Sequence, residues 1–207
     1  MIIAVDGPAA SGKGTIAKAL ARHFGLPCLD TGLLYRAVGL NLLQTGGDPD
    51  SEFAALRACD ISQIDFADPE LKSETVGGIA SRISAYPLVR QALLERQRNF
   101  ANQPGGAVLD GRDIGTVIAP HAEVKLFVTA SPEVRARRRF GELVRMGLNV
   151  HFEDVLADMH ARDARDSNRA SAPLQKAEDA HLLDTSEMSV EDAVARAIAL
   201  AQQVPAP

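Results

Sequence analysis

The stretch GPAASGKGT, residues 7–15, constrains the fold more than any other part of the chain. It follows a short apolar run at residues 2–5 and leads into a helical pattern from about Lys13 to Phe24. A strand, a glycine-rich turn and a helix in this order form a phosphate-binding loop, in which backbone amides surround an anion. The sequence therefore predicts a nucleotide site, with Lys13 reaching the terminal phosphates.

The loop departs from the common pattern at the position that holds magnesium. Ser or Thr is expected after the lysine, but this chain has Gly14 there and Thr15 one step later. This spacing resembles nucleoside monophosphate kinases rather than GTPases, and we expect Thr15 to be the hydroxyl near the metal ion. The alternative is that Thr15 only hydrogen-bonds to its own helix backbone. The predicted cofactor-binding residues are Gly7, Pro8, Ala9, Ala10, Ser11, Gly12, Lys13, Gly14 and Thr15.

Composition favours a single α/β domain in a reducing compartment. The chain has 207 residues, of which 46% are hydrophobic, enough for one core. Only Cys28 and Cys59 are present, which is typical of a cytoplasmic protein without disulfides. The apolar runs are too short to cross a membrane, and the first residues lack the pattern of a secretion signal.

Charge is distributed unevenly along the chain. The net charge of −5 argues against a general nucleic-acid binder. Only five of the 22 basic residues are Lys, and eight of the remaining Arg fall within residues 135–169. Because Arg binds phosphate oxygens in a bidentate way, this segment predicts a local site for a small polyanion. The alternative for any single Arg is a solvated helix face.

Five short apolar segments read as strands, at residues 2–5, 27–29, 107–109, 124–128 and 181–183. Helices between them predict a five-stranded parallel sheet covered on both faces. Ligands of such sheets bind beyond the carboxyl ends of the strands. The polar clusters at residues 30–31, 110–113 and 184–185 follow strands, so we expect them to share one rim with the phosphate loop.

Helices are predicted at residues 33–43, over most of 51–100 and at 190–202. A further helix begins after Ser131, with that serine as N-cap and Pro132 at the first position. Two more helical segments are expected after it, with breaks near Gly147 and near Asp166. The tail at residues 204–207 is predicted to be disordered.

Seven stretches, in order along nearly the whole chain, resemble the bacterial cytidylate kinase family: DGPAASGKGT, LDTGLLYRAV, YPLVRQALLERQR, LDGRDIGTVI, VKLFVTASPEVRARRR, RDARDSNRA and LLDTS. The resemblance implies the P-loop nucleoside monophosphate kinase fold with a five-stranded parallel core. It also implies an inserted segment that binds the monophosphate, here at about residues 36–100, and a short mobile lid at about residues 138–165. Both belong to one domain that spans residues 1–207.

The resemblance also implies roles for individual residues. The cytosine-reading residues of the family fall on Ser81, Arg90 and Asp113, and a ribose contact falls on Asp166. The contacts to the acceptor phosphate fall on Arg36, Arg112, Arg162 and Arg169. Thr31, also assigned to the substrate site, stands where the family often has Ser, so a hydroxyl is kept.

One departure from the family concerns the inserted segment. Family members usually carry a small three-stranded sheet there. Residues 61–75 of this chain are too few and too irregular to form it, so we predict a loop or a short helix. Closure over the substrate is therefore expected to differ from that of the longer relatives.

The resemblance implies transfer of a phosphoryl group from ATP to CMP or dCMP, with Mg²⁺ bridging the ATP phosphates. The predicted catalytic residues are Lys13, Arg112, Arg138 and Arg162, because phosphoryl transfer depends mainly on positioning and charge neutralisation. No general base is needed, since a phosphate oxygen of CMP is already anionic. Whether Asp110 reaches the magnesium ion through water is left open by the sequence. A monomer is expected, with no membrane or nucleic-acid partner.

Two other functions are compatible with the phosphate loop. The first is a kinase for another small acceptor. The set Ser81, Arg90 and Asp113 distinguishes a cytidylate kinase from this alternative. The second is a non-enzymatic regulator that holds ATP as a ligand and contacts a protein through its Arg-rich segment. Arginines drawn from three separated regions favour an enzyme over such a regulator.

Overall fold

The structure, a computed structural model, describes residues 1–203. Its centre is one five-stranded sheet with strand order β2-β3-β1-β4-β5, in which every pairing is parallel. The strands are β1 (Ile2–Asp6), β2 (Cys28–Asp30), β3 (Ala107–Gly111), β4 (Val124–Thr129) and β5 (His181–Asp184). The predicted fold class is confirmed, with strand bounds that differ by one or two residues.

Eight α-helices surround this sheet within the described residues: α1 (Lys13–Phe24), α2 (Thr31–Gln44), α3 (Glu52–Arg57), α4 (Glu74–Ile83), α5 (Pro87–Ala101), α6 (Pro132–Arg145), α7 (Phe152–Asn168) and α8 (Val190–Ala201). A 3₁₀ turn (Pro69–Lys72) precedes α4, and a π-helical turn (Ile114–Ile118) follows β3. No helix in residues 1–203 is long and apolar enough to span a membrane.

Side chains of the central strand β1 point alternately to the two faces of the sheet, and both faces are covered by helices. Ile3 and Val5 of β1 pack in one cluster with residues of α1 and α8. Ile2 and Ala4 pack on the other face, in a cluster that includes Ala101 of α5 and residues of the π-helical turn. The continuous apolar character of β1 therefore reflects burial on two sides.

Two further apolar clusters are formed mainly by helices that flank the sheet. The larger joins α2, α3, α4 and the start of α5, and it includes Leu71 of the 3₁₀ turn. The other joins α6 and α7 through Ala136, Leu143 and Val155. Each of the two segments that flank the sheet rim thus has a core of its own, which allows it to keep its shape if it moves.

Several local predictions can be compared with the structure. Asp30 and Ser131 are N-caps, whose side chains accept hydrogen bonds from Leu33 N and Val134 N, both at 3.3 Å. Residues 61–75 contain turns and the 3₁₀ turn but no strand, as predicted. The tail at residues 204–207 lies outside the described residues.

The predicted helix break near Asp166 is confirmed to within two residues, since α7 ends at Asn168. The further helical segment expected after this break was wrong, because residues 169–180 contain no helix. The helix ends because Arg169 adopts an extended conformation with φ −62° and ψ 139°. The carbonyl of Asp166 accepts a 2.7 Å hydrogen bond from Leu174 N, which turns the chain back along the last helical turn. The break at Gly147 is confirmed, since α6 ends at Arg145.

Candidate active site

The phosphate loop lies between β1 and α1, packed tightly against β4. A Cβ atom at Gly7 would lie 1.9 Å from the carbonyl oxygen of Val128, so no side chain fits there. Ala10 and Gly12 adopt left-handed conformations, with φ of 57° and 89°. These conformations bend the loop sharply enough to enter α1 directly at Lys13.

Side chains hold the loop from its outer side. Thr185 Oγ1, just after β5, donates to the carbonyl of Ser11 at 2.9 Å. Arg135 Nη1 donates to the carbonyl of Ala9 at 3.3 Å, while the same guanidinium forms a bidentate pair with Asp163 of α7. Since α6 carries Arg135, this residue ties the phosphate loop to both helices that follow β4.

Lys13 and Asp110 face each other at the rim of the sheet. Lys13 Nζ lies 3.8 Å from Asp110 Oδ1 and donates to the carbonyl of Pro8 at 3.3 Å. Burial, aided by the nearby charge of Arg112, lowers the pKa of Lys13 to about 8. Burial raises the pKa of Asp110 to about 6, with Lys13 acting in the opposite direction. Both groups are thus poorly solvated, and a polyphosphate with its metal ion would satisfy them.

The glycine after Lys13 is explained by the position of Asp110. A Cβ atom at Gly14 would lie 3.0 Å from Asp110 Oδ2, so a serine or threonine there would crowd the carboxylate. Asp110 Oδ1 is buried and has no hydrogen-bond partner in the structure. Thr15 is exposed on α1 and does not line the main cavity. A hard cation with its water ligands fits the carboxylate of Asp110 better than it fits an isolated threonine hydroxyl.

A cavity of about 570 Å³ opens beside Lys13, between the sheet rim and helices α2, α4 and α7. It brings together most of the predicted substrate and loop residues, which come from separate parts of the chain. They are Ala9, Ala10, Lys13, Thr31, Arg36, Ser81, Arg90, Arg112, Asp113, Arg162, Asp166 and Arg169. The predicted residues outside its lining are Gly7, Pro8, Ser11, Gly12, Gly14, Thr15 and Arg138.

One end of the cavity is built around Asp113. Its carboxylate forms a buried ion pair with Arg90 of α5, and Arg169 Nη2 lies 3.5 Å from its other oxygen. The guanidinium of Arg90 also lies 6.0 Å from the centre of the Tyr35 ring. Ser81 is close by, and its Oγ accepts a 3.3 Å hydrogen bond from Arg165. This end presents a planar guanidinium, a carboxylate and a hydroxyl in a small space.

The other end, near Lys13, is rich in arginine. Arg112 Nε donates to Asp166 Oδ2 at 2.8 Å. Arg162 Nε is buried without a hydrogen-bond partner, and burial together with the charge of Arg112 lowers the pKa of Arg162 to about 10. Arg36 also lines the cavity, and burial lowers its pKa as well. Arg36, Arg112 and Arg162 thus bring three half-buried guanidinium groups to this part of the cavity, where they can bind a phosphate.

Thr31 serves the framework of this rim. Its hydroxyl is buried and donates to the carbonyl of Asp110 at 2.9 Å. A Cβ atom at Gly111 would lie 2.7 Å from this hydroxyl oxygen, so the start of α2 and the end of β3 approach closely here. The predicted hydroxyl is therefore present beside the cavity and is already hydrogen-bonded to backbone.

Arg138 lies on a different side of α6 from the cavity. Its guanidinium donates to Thr185 Oγ1 at 3.0 Å and to the carbonyl of Thr185 at 2.7 Å. The next residue, Arg139, lines the cavity instead, where it pairs with Glu74 of α4 and, at 2.6 Å, with Glu142. The run of three arginines at residues 137–139 signals a cationic helix, but it does not show which of them faces the ligand.

Two further cavity residues, Tyr35 and Arg165, were not singled out from the sequence. Tyr35 is nearly buried on α2, one turn after the N-cap Asp30, and Arg165 lies on α7. The only local signal was their place within the motifs LDTGLLYRAV and RDARDSNRA.

Comparisons with known proteins identify the family of this chain. A family model described as cytidylate kinase matches residues 3–203. A cytidylate kinase from Caulobacter vibrioides is 58% identical over 195 residues, which cover 93% of this chain and 91% of that protein. One from Azorhizobium caulinodans is 56% identical and covers 98% of both chains. A solved structure of an uncharacterized protein from Eubacterium ventriosum has a TM-score of 0.57 at 16% identity, over 98% of each chain, and shares the fold.

Proposed function

The chain belongs to the cytidylate kinase family, and from this premise we propose how its cavity carries out the family's reaction. The protein is a kinase that phosphorylates CMP with ATP as donor. The two alternative functions, a kinase for another acceptor and a regulator without activity, have no support from the family. We propose dCMP as a second acceptor. The observation that carries the residue assignments is a cavity whose lining brings Lys13 together with several half-buried arginines.

ATP binds at the phosphate loop in this proposal. The amides of residues 7–15 and the N-terminus of α1 surround its β- and γ-phosphates. Lys13, the first residue of α1, supplies a positive charge next to the oxygen that bridges the β- and γ-phosphates. Because Lys13 is poorly solvated, its charge is felt more strongly by the phosphates than it would be in water.

Magnesium accompanies ATP in this proposal. Asp110 Oδ1 lies 3.8 Å from Lys13 Nζ but has no hydrogen-bond partner among the described residues; this is the observation that fits the ion, and Asp110 would hold it through water. Thr15 stays the hydroxyl ligand expected from the sequence; it is exposed on α1, two residues after Lys13. When bound, the ion neutralises charge on the ATP phosphates.

CMP binds in the same cavity with its phosphate toward Lys13. Arg36, Arg112, Arg162 and Arg169 neutralise this phosphate, so that two polyanions can approach in line. An oxygen of the CMP phosphate then attacks the γ-phosphorus of ATP, and the bond from that phosphorus to the β–γ bridging oxygen breaks. The bridging oxygen leaves as part of ADP, and CDP forms without a general base.

The cytosine ring occupies the end of the cavity around Asp113. Cytosine presents one amino donor beside two acceptors, which suits a carboxylate together with a guanidinium and a hydroxyl. We propose that Asp113 accepts from the amino group, that Arg90 and Ser81 donate to the ring acceptors, and that Asp166 contacts the ribose. The alternative is that Asp113 only anchors Arg90 and Arg169, with which it forms ion pairs.

We propose one domain with two mobile parts, the monophosphate-binding segment at residues 36–100 and the lid at residues 138–165. Each contains most of an apolar cluster that is formed mainly by its own helices, which supports motion as a unit. The sequence predicted Arg138, at the start of the lid, as a catalytic residue. Because Arg139 lines the cavity, the geometry favours Arg139 for the contact with the transferring phosphate. Lid closure would exclude water and so limit hydrolysis of ATP.

A panel of nucleoside monophosphates with ATP and Mg²⁺, followed by ADP release, tests this proposal. CMP and dCMP should be phosphorylated, UMP poorly, and AMP and GMP not at all. Equal turnover of UMP and CMP would contradict the proposed cytosine contacts without affecting the family assignment. A cytoplasmic monomer without a nucleic-acid partner stays a prediction from the sequence.

A further inference from the structure

The side chain of Arg36 is held by the segment that connects α3 to α4. Arg36 Nη1 donates to the carbonyl of Leu71 at 2.7 Å and to the carbonyl of Ser73 at 3.2 Å. Both carbonyls lie at the end of the 3₁₀ turn Pro69–Lys72. The short segment that stands in place of the family's small sheet therefore makes direct contact with a predicted phosphate ligand.

This 3₁₀ turn is fixed in place at both of its ends. Asp68 caps it, since Asp68 Oδ1 accepts a 2.8 Å hydrogen bond from Glu70 N. Leu71 is only 1% exposed and packs in the apolar cluster of α2, α3 and α4. The carbonyl groups that hold Arg36 are thus anchored to the core and not to a free loop.

Gly77 of α4 leaves the space that the Arg36 guanidinium occupies. A Cβ atom at Gly77 would lie 2.7 Å from Arg36 Nη2 and 3.1 Å from Nη1. The three nearest atoms to that Cβ position all belong to the Arg36 side chain. A Cβ atom at position 77 would therefore displace the Arg36 guanidinium first.

The hydrogen bonds of Arg36 leave its charge available. Both of them go to neutral carbonyl oxygens and not to a carboxylate. Carbonyl groups orient a guanidinium without cancelling its charge, whereas a carboxylate would compete with the incoming phosphate. Arg112 and Arg162, which share the cavity, add to the positive potential at the same place.

We propose that the 3₁₀ turn and Gly77 form a cradle that positions Arg36 for the acceptor phosphate. In this cradle Leu71 and Gly77 are positioning residues that act on CMP only through Arg36. The proposal rests on the proposed function, because it takes Arg36 as a ligand of the CMP phosphate.

The test compares Gly77→Ala with Thr75→Ala, an exposed position on the same helix. Both substitutions raise helix propensity, so neither should lower the unfolding temperature. Gly77→Ala should raise KM for CMP about tenfold or more, because a charge-assisted contact is misaligned, and should leave KM for ATP within about twofold. Thr75→Ala should change neither KM. A purely structural role for Gly77 would affect both substrates together.

A double-mutant cycle with Arg36→Ala separates the possible failures. In the Arg36→Ala background the added methyl group meets empty space, so Gly77→Ala should have no further effect on KM for CMP. The cradle is overturned if Arg36→Ala raises KM for CMP but Gly77→Ala leaves KM for CMP unchanged. It is also overturned if Gly77→Ala further raises KM for CMP in the Arg36→Ala background. If Arg36→Ala itself leaves KM for CMP unchanged, the proposed role of Arg36 fails instead.

Discussion

Arg112 and Asp166 join the sheet rim to the end of helix α7 through a 2.8 Å hydrogen bond from Nε to Oδ2. Arg112 follows β3, whereas Asp166 lies in the last turn of α7, next to the proposed lid. Burial opposes ionisation of Asp166, but the adjacent Arg112 holds the pKa of this carboxyl below its ordinary value. The pair therefore stays charged at neutral pH and fixes the base of the lid, so that motion is expected mainly in the preceding residues.

Hydrogen exchange should show that the lid residues before Asp166 are mobile in the free enzyme. Residues 138–165 should exchange faster in the free enzyme than with ATP and CMP bound, because closure buries their amides. Arg162→Ala should reduce kcat more than it weakens ATP binding, because Arg162 is proposed to neutralise the attacking CMP phosphate and not to bind ATP. Equal protection of this segment with and without nucleotides would rule out the proposed closure.

Lys13→Ala should remove most of the turnover without unfolding the protein. Loss of a charge that stabilises the transition state is expected to reduce kcat by about a hundredfold or more. The unfolding temperature should stay near that of the unaltered protein, because the lysine is at the rim and outside the apolar clusters. Steady-state kinetics and thermal unfolding check both parts, with Arg22→Ala, exposed in the last turn of α1, as a control. A Lys13→Ala protein with near-normal turnover contradicts the assignment.

Asp113→Asn tests whether Asp113 reads the base. The unaltered enzyme should prefer CMP to UMP by roughly a hundredfold in kcat/KM, since uracil places an acceptor opposite this carboxylate. An asparagine amide could donate to that acceptor, so the substitution should narrow the preference, chiefly by lowering kcat/KM for CMP.

The ion pairs of Asp113 provide the competing expectation for the same variant. If Asp113 only anchors Arg90 and Arg169, the substitution should lower activity toward CMP and UMP by the same factor. Kinetics with both substrates for both proteins distinguish the two roles. An unchanged ratio means that Asp113 does not read the base.

Asp6 should make the stability of the protein depend on pH. It ends β1, and its two carboxylate oxygens accept 2.8 Å hydrogen bonds from Ile114 N and Gly115 N. Burial raises its pKa to about 7, against the effect of these amides and with a smaller contribution from Asp113 and Asp110. Between the ordinary carboxyl pKa near 4 and this value, the folded state binds more protons than the unfolded state.

The free energy of unfolding should therefore fall as pH rises from about 4 to about 7, by at most roughly 1.4 kcal/mol per pH unit from this group. Asp6→Asn cannot ionise and should show a flatter dependence over that range. Denaturant unfolding at several pH values measures the difference between the two proteins. A difference that is constant with pH would show that Asp6 keeps an ordinary pKa in the fold.

Local patterns account for much of what could be predicted. The strand bounds, the helix that starts at Lys13, the caps at Asp30 and Ser131 and the lack of a sheet in residues 61–75 all depend on near neighbours in the chain. The helical segment expected after Asp166 is absent, and the chain there is turned back by a contact between residues eight apart, from Leu174 N to the Asp166 carbonyl. Propensity alone does not contain such a contact.

The sequence by itself determined the phosphate loop, the parallel α/β sheet and the rim at which polar residues gather, because strand, turn and helix signals are read over a few residues. Only the tertiary structure decided that Arg139 and not Arg138 lines the cavity, that Asp113 meets both Arg90 and Arg169, and that Gly77 makes room for Arg36. Those contacts depend on how each helix is rotated against its neighbours. That rotation is set by the packing of residues far apart in the chain, which no local pattern records.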